Sequence, residues 1–335
     1  MSRKRMKKDG LEMFLNQLKL AEKTNTRINN LIRYSIKQIE AEIDEVYYRY
    51  KERYNLDDAE MLEYLNKRLT PSQIEKYVET HQWALADITS AKNKITELTL
   101  LKGYIQYQTN YIAQESISEV EKLLKFVITD TFGRTHFNTC KAIGLELEFN
   151  RPSKSRIDKL LNHEWLDSNW YNRIQNNCGV LQQQVETVLT DGVLRGKSPQ
   201  FMANELTKVS HYGYSASERL VRTEVSHFHN KVEAEQYEEL GIEKYMIVAT
   251  LDGRTCSKAH GGKKSCGELD GKVFNLKDKK EGVNYPIFHP NCRCTTIAYI
   301  DEDTKKNLQR RAKTKDGKSI VMSYTNYNDW AKDNL

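Results

Sequence analysis

The chain has 335 residues, with 52 Lys and Arg against 46 Asp and Glu, so its formal net charge is +6. Charged residues make up 29% of the chain and apolar residues 39%, which is more polar than an average globular protein, although 19 Tyr can still contribute to cores. This composition argues against both a disordered chain and a single large core, and the length permits about two or three domains.

Membrane and secretory classes are not supported. No apolar run approaches the ~18 residues that a membrane-spanning helix needs, so we expect no membrane partner. The N-terminal sequence MSRKRMKKDG is basic but lacks the apolar segment of a secretory signal. Six Cys are too few for a disulfide scaffold, so synthesis in a reducing cytoplasm is expected.

The first half of the chain is predicted to form long helices. Proline is absent from residues 1–70 and from residues 72–151. Two stripes of apolar residues recur there at helical spacing, and the first is close to a coiled-coil seam. The stripes consist of Ile32, Ile36, Ile39, Ile43, Val46 and Tyr50, and of Ile88, Ile95, Leu98, Leu101, Ile105 and Ile112.

Local signals predict where these helices begin and end. Asn25 to Asn30 are expected to separate a short first helix from the first stripe, and Thr70-Pro71 is typical of a helix N-cap followed by the first helical residue. The helix of the second stripe is expected to end near Thr131-Phe132-Gly133. The alternation from Leu145 to Phe149 then permits a short strand.

Helices are predicted again after Pro152. Apolar residues from Trp170 to Leu189 line one helical face, and Ser198-Pro199 is typical of a further helix start. Ser215 and Glu218 have the spacing of a capping box, so we expect a new helix to open there and to stop at Gly241.

The pattern changes beyond residue 241. Tyr245–Leu251 is predicted to be a strand followed by a turn, and four of the six Cys lie between Cys256 and Cys294. Lys305 to Lys318 carries seven basic residues and one acidic residue. We therefore predict a mainly α fold with a small α+β C-terminal module. Its parts are a long-helix region over 1–150, a helical middle over 151–241, a β-containing Cys/His module over 242–300 and a basic tail over 301–335.

The Cys/His module carries the strongest chemical signal. Zinc prefers four thiolate and imidazole ligands in a tetrahedron, and such a site stabilises a module with few large apolar residues. Five candidate ligands compete for the four places, and in an extended segment Cys292 and Cys294 would point to opposite faces. The candidate metal ligands are Cys256, Cys266, His289, Cys292 and Cys294.

Two readings without a metal stay open, namely free thiols and a disulfide. If a metal binds, a thiolate-rich set of four ligands favours a closed structural site over a catalytic one. Glu268 and Asp270 are the carboxylates near Cys266 that a catalytic metal would use as a general base.

Arg222-Thr223-Glu224 lies on the helix before the module. Arg222 can pair with a carboxylate of the next module, so Arg222 and Glu224 are candidates for fixing helix against sheet. A solvated polar face is the alternative. His227 and His229 fall on different faces of that helix, which makes them poor joint ligands.

Taken in order, several short segments resemble the head-morphogenesis domain of tailed-phage minor capsid proteins, the family similar to the phage Mu F protein. The resemblance covers about residues 180–300, roughly a third of the chain. The upstream cysteines are commonly closer together in that family than Cys256 and Cys266 are here. The segments are Gly196-Lys197-Ser198, Arg222-Thr223-Glu224, Leu251-Asp252-Gly253-Arg254-Thr255-Cys256, Cys266-Gly267-Glu268-Leu269-Asp270-Gly271-Lys272-Val273-Phe274 and Pro286-Ile287-Phe288-His289-Pro290-Asn291-Cys292-Arg293-Cys294.

The resemblance implies a low-copy virion protein of the bacteriophage head that is not an enzyme. It would be made in the host cytoplasm, act in procapsid assembly near the portal, and in some cases in genome packaging or delivery. The implied partners are the portal protein and a major capsid or scaffolding protein, and self-association of the long helices is a further option. Two alternatives are a DNA-binding virion protein that uses its basic ends, and a metal-dependent hydrolase.

Overall fold

Long helices dominate the computed structural model, which describes residues 3–48, 55–80, 96–144, 149–250, 266–301, 309–313 and 319–323. The predicted fold class, mainly α with a small sheet near the C-terminus, is confirmed. The helices are α1 (Arg3–Tyr47), α2 (Asp58–Leu65), α3 (Pro71–Thr80), α4 (Glu97–Ile143), α5 (Lys154–Leu161), α6 (Trp170–Leu194), α7 (Pro199–Glu239) and α8 (Cys266–Leu269). The strands are β1 (Lys244–Val248), β2 (Val273–Asn275), β3 (Thr295–Ala298), β4 (Gln309–Lys313) and β5 (Ser319–Ser323).

The first predicted stripe lies on α1 and is buried from Ile32 to Val46. The predicted break between Asn25 and Asn30 is wrong, because α1 runs through it without interruption. Asn25 is only 2% exposed and Ile28 only 3%, so the helix is packed on both sides of the polar segment. Tertiary burial outweighs the weak helix propensity of Asn there.

Helix α4 carries Leu98, Leu101, Ile105 and Ile112 of the second stripe, whereas Ile88 and Ile95 lie outside the described residues. The helix continues past the predicted end at Thr131-Phe132-Gly133. Thr131 is fully buried and Phe132 is 2% exposed, so packing holds this part of the helix in place. The helix ends at Ile143 because Gly144 adopts a left-handed φ of 72°. Residues 145–148 of the predicted short strand lie outside the described residues.

The two predicted proline starts are confirmed. The Thr70 Oγ1 accepts from the Gln73 N–H, and α3 begins at Pro71. Ser198 Oγ accepts from the N–H of Phe201, and α7 begins at Pro199. Each serine or threonine oxygen thus binds one of the N–H groups that lack a partner in the first helical turn.

No new helix opens at Ser215, contrary to the capping-box prediction. The Ser215 hydroxyl instead donates to the carbonyl of His211 within α7, which continues to Glu239. Val225 and Phe228 are fully buried further along the same helix, so one apolar face continues through the predicted start. The predicted stop is confirmed, since Gly241 has a left-handed φ of 67°.

A small antiparallel sheet follows α7 in the strand order β2-β1-β3. Tyr245 pairs with Phe274 of β2 and with Ala298 of β3, and all four residues of β3 are buried. Strand β1 ends at Val248, because the next N–H, that of Ala249, leaves the ladder and donates to Asp270 Oδ1.

Packing divides the chain into two compact units. The first unit consists of residues 1–22, 121–164 and 219–335, and the second of residues 23–120 and 165–218. The core of the first unit surrounds the sheet and includes Met6, Ile143, Tyr237 and Tyr285. The four-part division predicted from the sequence stays a prediction.

The basic tail contains a hairpin, in which β4 and β5 pair from Gln309 with Ser323 to Lys313 with Ser319. Among the helices that the structure describes, none is both long and apolar enough to cross a membrane.

Candidate metal centre

Three of the five predicted ligands come together at one end of the small sheet. Cys266 opens α8, whereas His289 and Cys292 lie in the loop before β3. Their ligand atoms all lie within 4.8 Å of one another, and the His289 Nε2 is 3.1 Å from the Cys266 Sγ. Cys266 is 3% exposed and Cys292 is fully buried. This group can hold a metal ion.

The His289 ring is already oriented for metal binding. Its Nδ1 lies 2.8 Å from the Pro290 carbonyl oxygen, which can only accept, so Nδ1 carries the proton. The lone pair of Nε2 therefore faces the sulfur atoms. Metal-bound histidines commonly use their second nitrogen in this way, so the residues present fit a metal such as zinc.

Cys294 belongs to the same sulfur cluster. Hydrogen bonds from Cys266 and then Cys294 lower the pKa of the Cys292 thiol, and the N–H groups of Phe288 and Cys294 add to this effect. The same neighbours, Cys266 first and Cys292 second, raise the pKa of Cys294. Of these two thiols, Cys292 is therefore the one that is more readily present as a thiolate.

The fifth candidate, Cys256, lies outside the described residues, and the ligand set of Cys256, Cys266, His289, Cys292 and Cys294 stays a prediction. The described cysteines form no disulfide with one another. Cys140 belongs to the apolar core of the first unit, and burial raises the pKa of Cys178 to about 11. Both are ordinary packed cysteines.

Three polar side chains of helix α7 hold the loop that carries His289 and Cys292, which we call the ligand loop. Thr223 belongs to the predicted Arg222-Thr223-Glu224 segment, whereas Ser226 and Asn230 were not predicted. Thr223 Oγ1 accepts from the Asn291 N–H, Ser226 Oγ donates to the Cys292 carbonyl at 2.7 Å, and Asn230 Nδ2 donates to the Cys294 carbonyl at 3.0 Å. These residues are spaced by three and four positions, so they form one row along the helix. This helical spacing of polar residues is the sequence signal that could have identified the row.

The loop is fixed from its other side as well. Thr250 Oγ1 donates to the Arg293 carbonyl at 2.7 Å, so three consecutive carbonyls, those of residues 292–294, each accept from a side chain. Asn291 adopts a left-handed φ of 61°, and the Cys292 N–H donates to the His289 carbonyl to close the turn. This turn, which Pro290 and Asn291 favour, aims His289 and Cys292 at the same point.

Arg222 and Glu224 lie near this row. Arg222 donates from Nε and Nη2 to the two carboxylate oxygens of Glu22 in α1, at 2.6 and 2.8 Å. Glu224 is 1% exposed. Their proposed role in fixing the helix against the sheet stays a prediction.

His227 and His229 point in different directions, as expected. The His227 ring stacks on His163 at 6.2 Å, and its Nδ1 lies 3.9 Å from a carboxylate oxygen of Glu281. His229 is fully buried, with Nδ1 at 2.8 Å from Gln17 Oε1 and Nε2 at 2.8 Å from Thr295 Oγ1. Burial lowers the pKa of His229 to about 3, so this histidine is a neutral structural group.

Comparison with known proteins gives the family. Residues 183–297, which include α7, the small sheet and the ligand loop, match the family described as Phage Mu protein F like protein. Over these residues the chain is similar to the phage Mu F-like family. The resemblance drawn from the ordered motifs is therefore confirmed.

Two relatives extend this result to different lengths. The chain is 23% identical to the minor head protein GP7 of Bacillus phage SPP1 over 280 residues, which are 79% of this chain and 87% of that protein. It is 24% identical to an uncharacterized protein of Haemophilus influenzae over 120 residues, which are 36% of this chain and only 25% of that protein. No solved structure matches.

Proposed function

We propose that this minor head protein is a low-copy component of the virion head that acts in procapsid assembly near the portal. The observation that carries the proposal is the similarity to the SPP1 minor head protein, because it spans most of both chains and not the matched domain alone. The portal protein and a major capsid or scaffolding protein are the proposed partners. Synthesis would take place in the bacterial cytoplasm, before incorporation into the particle.

Particles assembled with and without the gene test this proposal. Quantitative mass spectrometry of purified heads should find the chain far below the major head protein in copy number, and cross-linking should join it to the portal protein. Heads that contain no chain, or a chain present at the copy number of the shell protein, would contradict the proposal.

We propose a structural and not a catalytic role for the Cys/His cluster. Thiolate-rich sites are mostly closed, so they leave no position for a substrate or a water nucleophile. Asp270, one of the two carboxylates considered as a general base, accepts from the Ala249 N–H at 2.9 Å and lies 3.5 Å from the Lys7 ammonium. Its carboxylate therefore holds the backbone at the end of β1.

The proposed ion is zinc, held by Cys266, His289 and Cys292, with a fourth ligand from Cys294 or Cys256. We expect about one zinc per chain after purification without added metal, and a lower melting temperature in chelator. The Cys292→Ser variant should lose the metal, whereas Cys140→Ser should keep it. Comparison with Cys294→Ser identifies the fourth ligand. A metal-free protein whose melting is unchanged by chelator would contradict the proposal.

Genome packaging or delivery through DNA contacts is the second candidate. It is favoured by the β4–β5 hairpin, because β4 carries Arg310, Arg311 and Lys313 within a tail that has seven basic residues between Lys305 and Lys318. Contacts to phosphates release counterions, so DNA affinity should fall steeply with salt. Binding that is absent, or insensitive to salt, would contradict this candidate.

A further inference from the structure

A cavity of about 390 Å³ lies between α1 and α7 within the second unit, apart from the Cys/His cluster. Asn29, Arg33 and Lys37 line it from α1 at intervals of four residues, so they occupy one face of that helix. Thr207 and His211 line it from α7 at the same interval. Because two regular helices supply the lining, the polar groups have fixed spacing. The volume is within the usual range for small-molecule sites.

Three groups of the lining are basic. They are Arg33, Lys37 and His211, whereas Glu40 is the one acidic group of the lining and interacts electrostatically with Lys37. Asn30 Oδ1 accepts from Arg33 Nη2 at 2.9 Å, which orients the guanidinium and leaves its other N–H groups available. Charge-assisted hydrogen bonds of this type are strong and suit phosphate oxygens.

Other groups of the same lining offer acceptors. Asn29 Oδ1 is buried and has no hydrogen-bond partner among the described residues. The hydroxyls of Thr207 and Ser210 donate to the carbonyls of Ala203 and Leu206, both at 3.0 Å, so their oxygen lone pairs remain. A buried acceptor without a partner is unfavourable. A ligand hydroxyl that donates to Asn29 would supply the missing hydrogen bond.

From these basic groups and acceptors we infer that the cavity binds a free sugar phosphate. Its phosphate contacts Arg33, Lys37 and His211, and its hydroxyls donate to Asn29 and to the hydroxyl oxygens of α7. Phosphate alone would use only the basic groups, and an uncharged sugar would use only the acceptors. A compact ligand that carries both groups matches the whole lining.

Calorimetric titration of the full-length protein at constant ionic strength tests this inference, with ribose 5-phosphate, inorganic phosphate and ribose as probes. Ribose 5-phosphate should bind at least about tenfold more tightly than inorganic phosphate, because it adds hydroxyl contacts. Ribose should give no measurable heat. A protein that does not bind ribose 5-phosphate, or binds it no more tightly than inorganic phosphate, overturns the inference.

Variants test the basic groups and the acceptors separately. Arg33→Gln should weaken both phosphate ligands about tenfold or more, because it removes a charged donor. Asn29→Ala should weaken ribose 5-phosphate alone and leave inorganic phosphate unchanged. If Arg33→Gln does not fold, Lys37→Gln and His211→Gln provide the same readout. Lys19→Gln is the matched control, since Lys19 is an exposed basic residue of the same helix outside the cavity.

A short DNA duplex serves as the competing phosphate source. If the duplex binds in an Arg33-dependent manner while ribose 5-phosphate does not bind, the basic groups recognise nucleic acid and the inference fails. Equal weakening by Lys19→Gln and Arg33→Gln would also overturn it, because the effect would then reflect net charge alone. Neither result bears on the proposed role in head assembly.

Discussion

Ser226 supports the backbone of Cys292, one of the proposed metal ligands. Its buried hydroxyl donates to the Cys292 carbonyl at 2.7 Å, so it fixes the backbone from which the Cys292 sulfur projects. Outer groups of this type commonly affect metal affinity by about 10–100-fold. The Ser226 hydroxyl is buried and hydrogen-bonded, so its removal also leaves the Cys292 carbonyl without this donor.

We expect Ser226→Ala to lower zinc affinity about tenfold and to destabilise the fold by about 1–3 kcal/mol. Competition with a chelator measures the first effect and urea unfolding the second. Ser215→Ala is the matched control, because Ser215 is exposed on the same helix and its hydroxyl donates only to the His211 carbonyl. Identical behaviour of the two variants would contradict a role for Ser226 in the metal centre.

Glu233 is a buried carboxyl group in the first unit. Its Oε2 accepts from the hydroxyls of Thr295 and Thr296 in β3, at 3.1 and 2.9 Å. Burial raises its pKa to about 7, although hydrogen bonds from Thr296, Thr295 and Tyr237 oppose the shift. The folded state therefore keeps this proton to a higher pH than the unfolded chain does.

This difference predicts that the stability of a Glu233 variant, relative to the native protein, depends on pH. The stabilisation from the Glu233 proton is fully present below about pH 4.5 and is lost as the pH rises through about 7. Glu233→Gln should therefore become more stable relative to the native protein between pH 5 and pH 8, by at most about 3 kcal/mol. Urea unfolding at both pH values measures this change.

Glu235→Gln is the control for Glu233→Gln. Glu235 lies two residues further on the same helix, is partly exposed and pairs with Arg156 at 3.1 Å. The same substitution at this partly exposed side chain should not reproduce the pH-dependent gain expected of Glu233→Gln.

At the scale of elements, apolar periodicity predicted more than local boundary signals did. The stripes on α1, α4 and α6 are where the sequence placed them, because burial of one face determines a long helix. The breaks expected at Asn25 and Ser215 do not occur, since each of these residues lies within a helix that is packed on both sides. Cap-like residues indicate a boundary only where packing ends.

The same reasoning explains what was found of the candidate site. The spacing of Cys266, His289 and Cys292 predicted a cluster, because thiolate and imidazole side chains supplied by two short segments are typical of a zinc site. The supporting row on α7, which includes Ser226 and Asn230, was not predicted. Its role depends on which helix packs against the loop, and that is decided by tertiary structure.

Gly192 on α6 provides a test of helix packing in the second unit. A Cβ at this position would overlap the Met202 side chain of α7, so Gly192→Ala should destabilise the protein by about 1–3 kcal/mol. On the same helix, a Cβ at Gly179 would meet open space, so Gly179→Ala should stabilise it by about 0.5–1 kcal/mol. Thermal unfolding should separate the two variants, and shifts of the same sign would contradict the close approach of the helices.

At the scale of the whole molecule, the region that defines the family is not a complete folding unit. The core around its sheet also contains Met6 from α1, and Cys140 and Ile143 from α4, all outside residues 183–297. Phe14 is fully buried and its ring centroid lies 4.5 Å from that of His229. The matched region alone would expose these contact surfaces to water.

We therefore expect a fragment of residues 183–301 to aggregate or to unfold without cooperativity, even with zinc present. The loss of apolar contacts with α1 and α4 is the physical reason. Size-exclusion chromatography and near-ultraviolet circular dichroism measure the outcome against the full-length chain. A monomeric fragment with a cooperative transition would show that the flanking helices are dispensable.

The packing of Gly10 against Ile297, where an added Cβ would lie 3.1 Å from the isoleucine side chain, also sets an order of events during translation. About 290 residues separate the two positions, so at the usual rate the ribosome adds the second roughly 15–60 s after the first. The apolar face at the start of α1 must wait that long for its partner strand. The nascent protein therefore closes its first unit only after Ile297 has been added, and until then chaperones have access to that face.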